Sequence, residues 1–249
     1  MLEINLPAKI FAKGIVSRIL QNDEGLENVE VICPQQHFHD KNQTSDLKDT
    51  FLCLIFHSAE ILLAFLMLVV LSPLLVMIFI GVKATSSGPG IYTQKRVGKN
   101  GREFLIFKFR TMIQNAEAQY GAVLSWQGDP RITRFGIFLR SSHLDELLQL
   151  INIIKGEMSF IGPRPERAEI IKKFCAEIKG YNRRQTVLPG ITGLAQICCP
   201  YDVSPEMKLK YDLFYILHKS SIYLNILILF FTFGKFFSGS ADTQTQLET

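Results

Sequence analysis

The 249-residue chain is 47% hydrophobic and 20% charged, with 27 Lys and Arg against 23 Asp and Glu, a balance that excludes a disordered chain and allows one sizeable core in one or two domains. Five cysteines (Cys33, Cys53, Cys175, Cys198, Cys199) form neither a paired framework nor two CxxC elements. A disulfide scaffold and a structural zinc module are thereby excluded, and the thiols read as reduced and facing a cytoplasm.

The first 50 residues are mixed and polar, and "QNDEGLENVE" and "DKNQTSDLKD" read as loop. Lys9, Lys13 and Arg18 interrupt the opening stretch, so no signal peptide is expected. Ile61 to Val82 then carries no charge and exceeds the roughly 18 residues that a membrane helix needs. Lys83, Lys95, Arg96 and Lys99 follow it and place its C-terminal end in the cytoplasm by the positive-inside rule. Ser72-Pro73 falls near the middle, where proline removes a donor and clashes with the carbonyl four residues back. The residues alone leave two topologies open: a kinked span, or a dip into one leaflet with the Ser72 hydroxyl serving a freed carbonyl.

"IYTQKRVGKNGREFLIFKFRTM" predicts a β-hairpin turning at Asn100-Gly101. Alternation on its second strand puts Lys108 and Arg110 on one face and Phe107 and Phe109 on the other. Aromatics that read as core argue against an RNA-binding strand. A short helix is expected near Gln114 to Tyr120, and a turn at Asp129-Pro130. From Lys83 to Arg140 ten Lys and Arg face three acids, a concentration suited to anionic lipid or a phosphorylated substrate. Arg131, Arg134 and Arg140 in that stretch suit a diphosphate and its metal.

"SSHLDELLQLINIIKGEMSFIGPRPE" predicts an amphipathic helix of about three turns, with Leu144, Leu147, Leu148, Ile151 and Ile154 as its apolar stripe. Ser142 and Asp145 read as a capping box, with Asp145 and Glu146 favoured by the positive end of the helix. The same acids are open to a ligand and suit phosphate chemistry. Gly162-Pro163-Arg164-Pro165 is rigid and fixes the angle of Arg164, and Arg183 and Arg184 precede a Pro189-Gly190 turn. A final apolar run, Ser220 to Gly234, is too short to cross a bilayer comfortably and reads as interfacial.

"GPGIYTQKRVGKNGREFLIFKFRTM", "DPRITRFGIFLRSSHLDELLQLINIIKGEMSFIGPRPE" and "LPGITGLAQI" together resemble the bacterial sugar transferase family, the monotopic polyprenyl-phosphate phosphoglycosyl transferases. The resemblance runs from about residue 51 to 235. It implies an α+β protein in which a membrane-inserted, broken (re-entrant) helix precedes a small cytoplasmic α/β catalytic domain with amphipathic interfacial helices. The corresponding division is an N-terminal extension at 1–50, a membrane-inserted helix at 51–83, a catalytic domain at 84–237 and a flexible tail at 238–249.

The implied reaction passes a sugar 1-phosphate from a nucleoside diphosphate sugar, usually a UDP-sugar, to polyprenyl phosphate at the cytoplasmic face of the bacterial inner membrane. UMP is released, and exopolysaccharide, capsule, O-antigen or glycoprotein glycan synthesis begins. Asp145 matches the family's nucleophile and Glu146 its partner acid, both also candidate ligands of magnesium. Lys108, Arg110, Arg131, Arg134, Arg140, Arg164, Pro165, Glu166, Arg183, Arg184 and Gln196 are the implied substrate-binding set. Ser72-Pro73 matches the family's helix break, which favours the dip. The expected partners are the nucleotide sugar, polyprenyl phosphate and the inner membrane, with no nucleic acid and with room for a homo-oligomer. Two departures stand out: Leu148 where the family has proline, and Asn225 where it has aspartate. The alternative reading is a non-catalytic membrane protein that binds nucleotide sugar or anionic lipid.

Overall fold

Helix α1 runs without interruption from Gln43 to Thr85 and includes Pro73, so helix begins eight residues before the expected boundary at 51. The structure is a computed structural model that describes residues 43–114, 116, 128–200 and 203–237. Most of the expected helix near Gln114 to Tyr120, most of the N-terminal extension and the tail lie outside the described residues. Pro73 cannot donate to the carbonyl of Val69, and the Ser72 hydroxyl donates to it at 2.7 Å instead. The stretch Leu54–Thr85 is long and apolar enough to cross a membrane by length and composition, and only 11% of its most apolar window is buried.

That buried share forms one stripe at helical spacing. Ala64, Met67, Leu68 and Leu71 pack with Phe104, Ile106, Leu150, Ile153 and Met158. Leu75, Ile78 and Val82 pack with Phe109, Leu139 and Leu148. The stripe therefore continues against the same globular part on both sides of Ser72-Pro73, while Leu62, Leu66, Val70, Met77 and Ile80 are exposed. A helix whose face changes from packed to bare around its circumference fits burial against protein on one side and hydrocarbon on the other.

Strands β1 (Ile91–Val97) and β2 (Glu103–Phe109) pair antiparallel, from Ile91 opposite Phe109 to Val97 opposite Glu103. The turn falls at Asn100 (φ 56°) and Gly101 (φ 75°), the left-handed pair that Asn-Gly accepts most readily. Phe107 and Phe109 join the Leu139 and Leu148 cluster, and Phe104 and Ile106 face α1, so the strand's aromatics are core. Helix α2 (Arg134–Ser141) is capped by the Thr133 hydroxyl, which accepts from the Gly136 amide at 2.9 Å.

The amphipathic helix expected from Ser142 onward is two pieces, a 3-10 segment (Leu144–Gln149) and a short α3 (Leu150–Ile154). The capping box is not formed. Ser142 ends α2, its hydroxyl donating to the Phe138 carbonyl at 2.7 Å, and the residue that precedes the 3-10 segment is His143 in a left-handed conformation, φ 54°. The reason is local: Ser142 is already committed to the preceding helix, and the chain must reverse between α2 and the acid pair.

Strands β3 (Ser159–Ile161) and β4 (Gly190–Thr192) pair parallel. A side chain on Gly190 would run into the backbone of Gly162 and Thr192, so glycine is what lets the two loops touch. Helices α4 (Ala168–Glu177), α5 (Leu194–Cys198), α6 (Pro205–His218) and α7 (Ile222–Phe237) complete the globular part. Helix α7 buries Ile228 and exposes Ile222, Ile226, Phe230 and Phe233, one apolar face as expected of an interfacial helix. Asn225 donates to the Lys219 carbonyl at 2.9 Å, a turn-closing bond that an ionised aspartate could not donate. Leu148 is buried in the core beside Phe109 and Leu139.

Candidate active site

Two elements distant in sequence converge on the acid pair. Strand β2 presents Lys108, whose Nζ donates to Glu146 Oε1 at 2.6 Å, and the Gly162–Pro165 loop presents Arg164, whose Nη2 donates to the same oxygen at 2.7 Å. Asn152 of α3 is fully buried and holds the acid segment against β2. Its side chain accepts from the Phe107 amide at 3.1 Å and donates to the Leu105 carbonyl at 2.7 Å, so an amide side chain takes the place of a neighbouring strand. Sequence reading missed Asn152. Its signal was a polar residue inside the apolar run Leu150-Ile151-Asn152-Ile153-Ile154.

The adjacent carboxylates stand in opposite electrostatic situations. Asp145 is 9% exposed, and among the described residues no donor is bonded to it. Burial first, and the Glu146 charge second, push its carboxyl up to about 6 against the lowering pull of Lys108, Arg140 and Arg164. Burial would also raise Glu146, but the charges of Arg164 and Lys108 outweigh it and hold that carboxyl well below the usual range. Lys108 is lowered by its burial, with Glu146 opposing the shift. Desolvation thus outweighs the neighbouring cations at Asp145, whereas at Glu146 the cations prevail.

The other implied site residues are not gathered in one place. Lys108 and Arg110 meet different partners. Arg110 lies past the end of β2 and turns to α1, its Nη2 donating to the Ser86 carbonyl at 2.8 Å and to the Ser86 hydroxyl at 2.7 Å. Its buried Nε and Nη1 have no partner among the described residues. Arg131 is buried in a local ion pair with Asp129 at 2.6 Å, which holds the aspartate below its usual value mainly through the side-chain hydrogen bonds. Arg134 is exposed on α2. Arg140 is half-buried, donates to the Thr111 hydroxyl at 2.8 Å and lies within electrostatic reach of Asp145.

Arg164 keeps 43% of its side chain exposed while gripping Glu146, so one side of it stays open to a ligand. Pro165 and Glu166 bind the loop to β1: Arg96 donates to the Pro165 carbonyl at 3.0 Å and the Val97 amide to the Glu166 carbonyl at 2.9 Å. Arg183 is half-buried in the 3-10 segment Tyr181–Thr186. Arg184 is buried, and its donors meet Tyr181 and the Arg164 carbonyl. Gln196 donates to the Ile191 carbonyl at 3.1 Å. Arg96, read from sequence only as a charge flanking the apolar segment, encloses this loop with Tyr181 and Asp212, which were not singled out.

A carboxylate with no hydrogen bond among the described residues thus lies beside a second acid clamped by two cations. The family model described as bacterial sugar transferase matches residues 53–239. The chain is 38% identical over 206 residues, 82% of its length, to a UDP-N-acetylgalactosamine-undecaprenyl-phosphate N-acetylgalactosaminephosphotransferase of Aeromonas hydrophila. It is 42% identical over 176 residues, 69% of its length, to a UDP-glucose:undecaprenyl-phosphate glucose-1-phosphate transferase of Xanthomonas campestris. It spans 48% of the first protein and 36% of the second. An exopolysaccharide production protein ExoY of Sinorhizobium fredii is 36% identical over 189 residues, covering 70% of this chain and 82% of that protein. On these matches and on the motifs that build the acid site, the chain belongs to the bacterial sugar transferase family.

Proposed function

We propose that this protein transfers a sugar 1-phosphate from a UDP-sugar to polyprenyl phosphate, through a phosphosugar held on Asp145. The observation that carries the reading is the asymmetry of the acid pair. Glu146 is engaged by Lys108 and Arg164, whereas Asp145 lies beside those cations with no donor among the described residues occupying its oxygens.

An Asp145 oxygen attacks the sugar-linked phosphorus, a new O–P bond forms, and the bond to the bridging oxygen breaks with its electron pair leaving on UMP. An oxygen of polyprenyl phosphate then attacks the same phosphorus and releases the Asp145 carboxylate. Arg164, open on one side, and Arg140 face the charge that develops on the phosphoryl oxygens. Asp145 and Glu146 are hard oxygen donors, and a divalent cation would offset the charge that burial penalises on Asp145. The pair thus fits magnesium held by one or two carboxylates and the substrate's phosphates. When bound, the ion would neutralise diphosphate charge.

Membrane attachment from one side is part of the proposal. Packing of α1 against the globular part at both Ala64 and Val82 supports it, because a helix crossing the bilayer would draw that polar part into hydrocarbon. Ser72 relieving the carbonyl left by Pro73 supports a bend there. Under this reading a cysteine introduced at Gln43 is shielded from a membrane-impermeant reagent in intact cells and reacts after lysis; labelling from outside would establish a span.

The reaction is tested by incubating the purified protein in lipid nanodiscs with polyprenyl phosphate, magnesium and a panel of UDP-sugars. Release of UMP with one or more donors is the expected result. Donor binding without UMP release would establish the non-catalytic binder instead.

A further inference from the structure

The loop carrying Arg164 contains two prolines and cannot form regular backbone pairing, yet its carbonyls are satisfied in succession. That of Pro163 accepts from the Gly190 amide at 3.0 Å and that of Glu166 from the Val97 amide at 2.9 Å. Between them, the Arg164 carbonyl accepts from Arg184 Nη2 at 3.0 Å and the Pro165 carbonyl from Arg96 Nη1 at 3.0 Å. A half-buried guanidinium, Arg96, and a buried one, Arg184, supply what backbone would supply in a sheet.

Arg184 is itself fixed from behind. Its Nη2 lies 2.8 Å from Asp212 Oδ2 on α6, with the two side chains only 7% and 3% exposed. Its Nη1 donates to the Tyr181 hydroxyl at 2.7 Å, and Glu166 Oε1 stands 4.0 Å away. The Asp212 contact is an ion pair off the hydrogen-bond direction, since that oxygen lacks a hydrogen-bond partner. A buried carboxylate on α6 facing a buried guanidinium is costly to maintain for stability alone, because apolar residues of similar volume often serve as well.

We infer that Arg184 and Asp212 are positioning residues for the transfer site: Asp212 orients Arg184, Arg184 holds the backbone of Arg164, and Arg164 is thereby set against Glu146 and the incoming phosphate. Arg184 accordingly acts through the loop and does not contact the substrate. The inference rests on the phosphotransfer reading above for its effect on rate, but not for the pinning itself.

Asp212→Asn keeps the shape of the side chain and removes its charge; Arg184→Lys keeps the buried charge and removes the guanidinium fork. In both, hydrogen exchange should quicken at the Val97 and Gly190 amides, which bond the same loop, while the amides within the β1–β2 pair keep their protection. UMP release should fall on the order of 10–100-fold, as for a misplacement of about an ångström. In an Arg164→Ala background, adding Asp212→Asn should change UMP release by less than about twofold, because both changes act through one side chain. Unchanged exchange, unchanged rates, or a full multiplicative loss on top of Arg164→Ala would each overturn the inference. If the wild-type protein released no UMP with any donor, the phosphotransfer reading would fall, and the exchange measurement would still decide the pinning.

Discussion

Asp145→Asn is expected to abolish UMP release and, in metal-free buffer at pH 7.5, to raise the melting temperature. The amide is close in shape to the carboxyl but is a poor nucleophile, so turnover should fall by at least about 10³-fold, the usual scale for losing a covalent catalyst. The stability gain follows from the raised carboxyl. With a folded value of about 6 against ~3.9 in the unfolded chain, the folded state binds this proton more tightly. Below about pH 4 the group is protonated in both states and contributes no penalty. As pH rises from about 4 to 6 the penalty grows, and above about 6 it is fully present, at about 2–3 kcal/mol. Removing it should raise Tm by roughly 4–12 °C in a chain of this size, and the difference from wild type should vanish towards pH 4. The same titration gives the acidic limb of kcat/KM, with activity falling as pH drops through about 6. A variant that stayed active, or that melted below wild type at neutral pH, would contradict this account of Asp145.

Glu146→Gln should do the reverse to stability while also damaging the reaction. Glu146 is held well below its usual value by Arg164 and Lys108 in spite of its burial, so its charge stabilises the fold above the unfolded value of ~4.3 and that stabilisation is lost as pH falls. Glutamine still accepts a hydrogen bond but removes the charge that the buried Lys108 ammonium, 17% exposed, is bonded to. A loss of about 3 kcal/mol at neutral pH is expected, the lower end for breaking a buried pair. UMP release should fall about 10²-fold because Lys108 and Arg164 lose their common anchor. Differential scanning fluorimetry at pH 5 and 7.5, beside single-turnover UMP assays, checks both halves. Equal melting temperatures at pH 7.5 would show that the three-residue cluster holds nothing together.

The hairpin was legible because Asn100-Gly101 has a backbone requirement that few other pairs meet, and both residues take the left-handed conformation. The apolar helix was legible from its length, although its start was not: the residues from Gln43 to Glu60 are mixed in character and become helical as the leading part of α1. The acid pair was legible as adjacent carboxylates, but its support was misassigned. Ser142 looks like a cap from its spacing alone, and only the structure shows that its hydroxyl serves α2. The arginines were the least legible. Their type announces anions, but whether the anion is a substrate or an aspartate depends on the folded partner: Arg131 meets its near neighbour Asp129, and Arg184 meets Asp212 on another helix. Local spacing carries no signal for the second pair.

The covalent role of Asp145 is the central claim, and intact-protein mass spectrometry tests it directly. Wild-type protein incubated with magnesium and an accepted UDP-sugar, without polyprenyl phosphate, should gain the mass of one sugar phosphate and release about one equivalent of UMP, as ping-pong schemes do. Peptide mapping should place that mass on Asp145, and polyprenyl phosphate should discharge it. Absence of any adduct, together with UMP release that requires both substrates at once, would contradict the account and establish direct transfer.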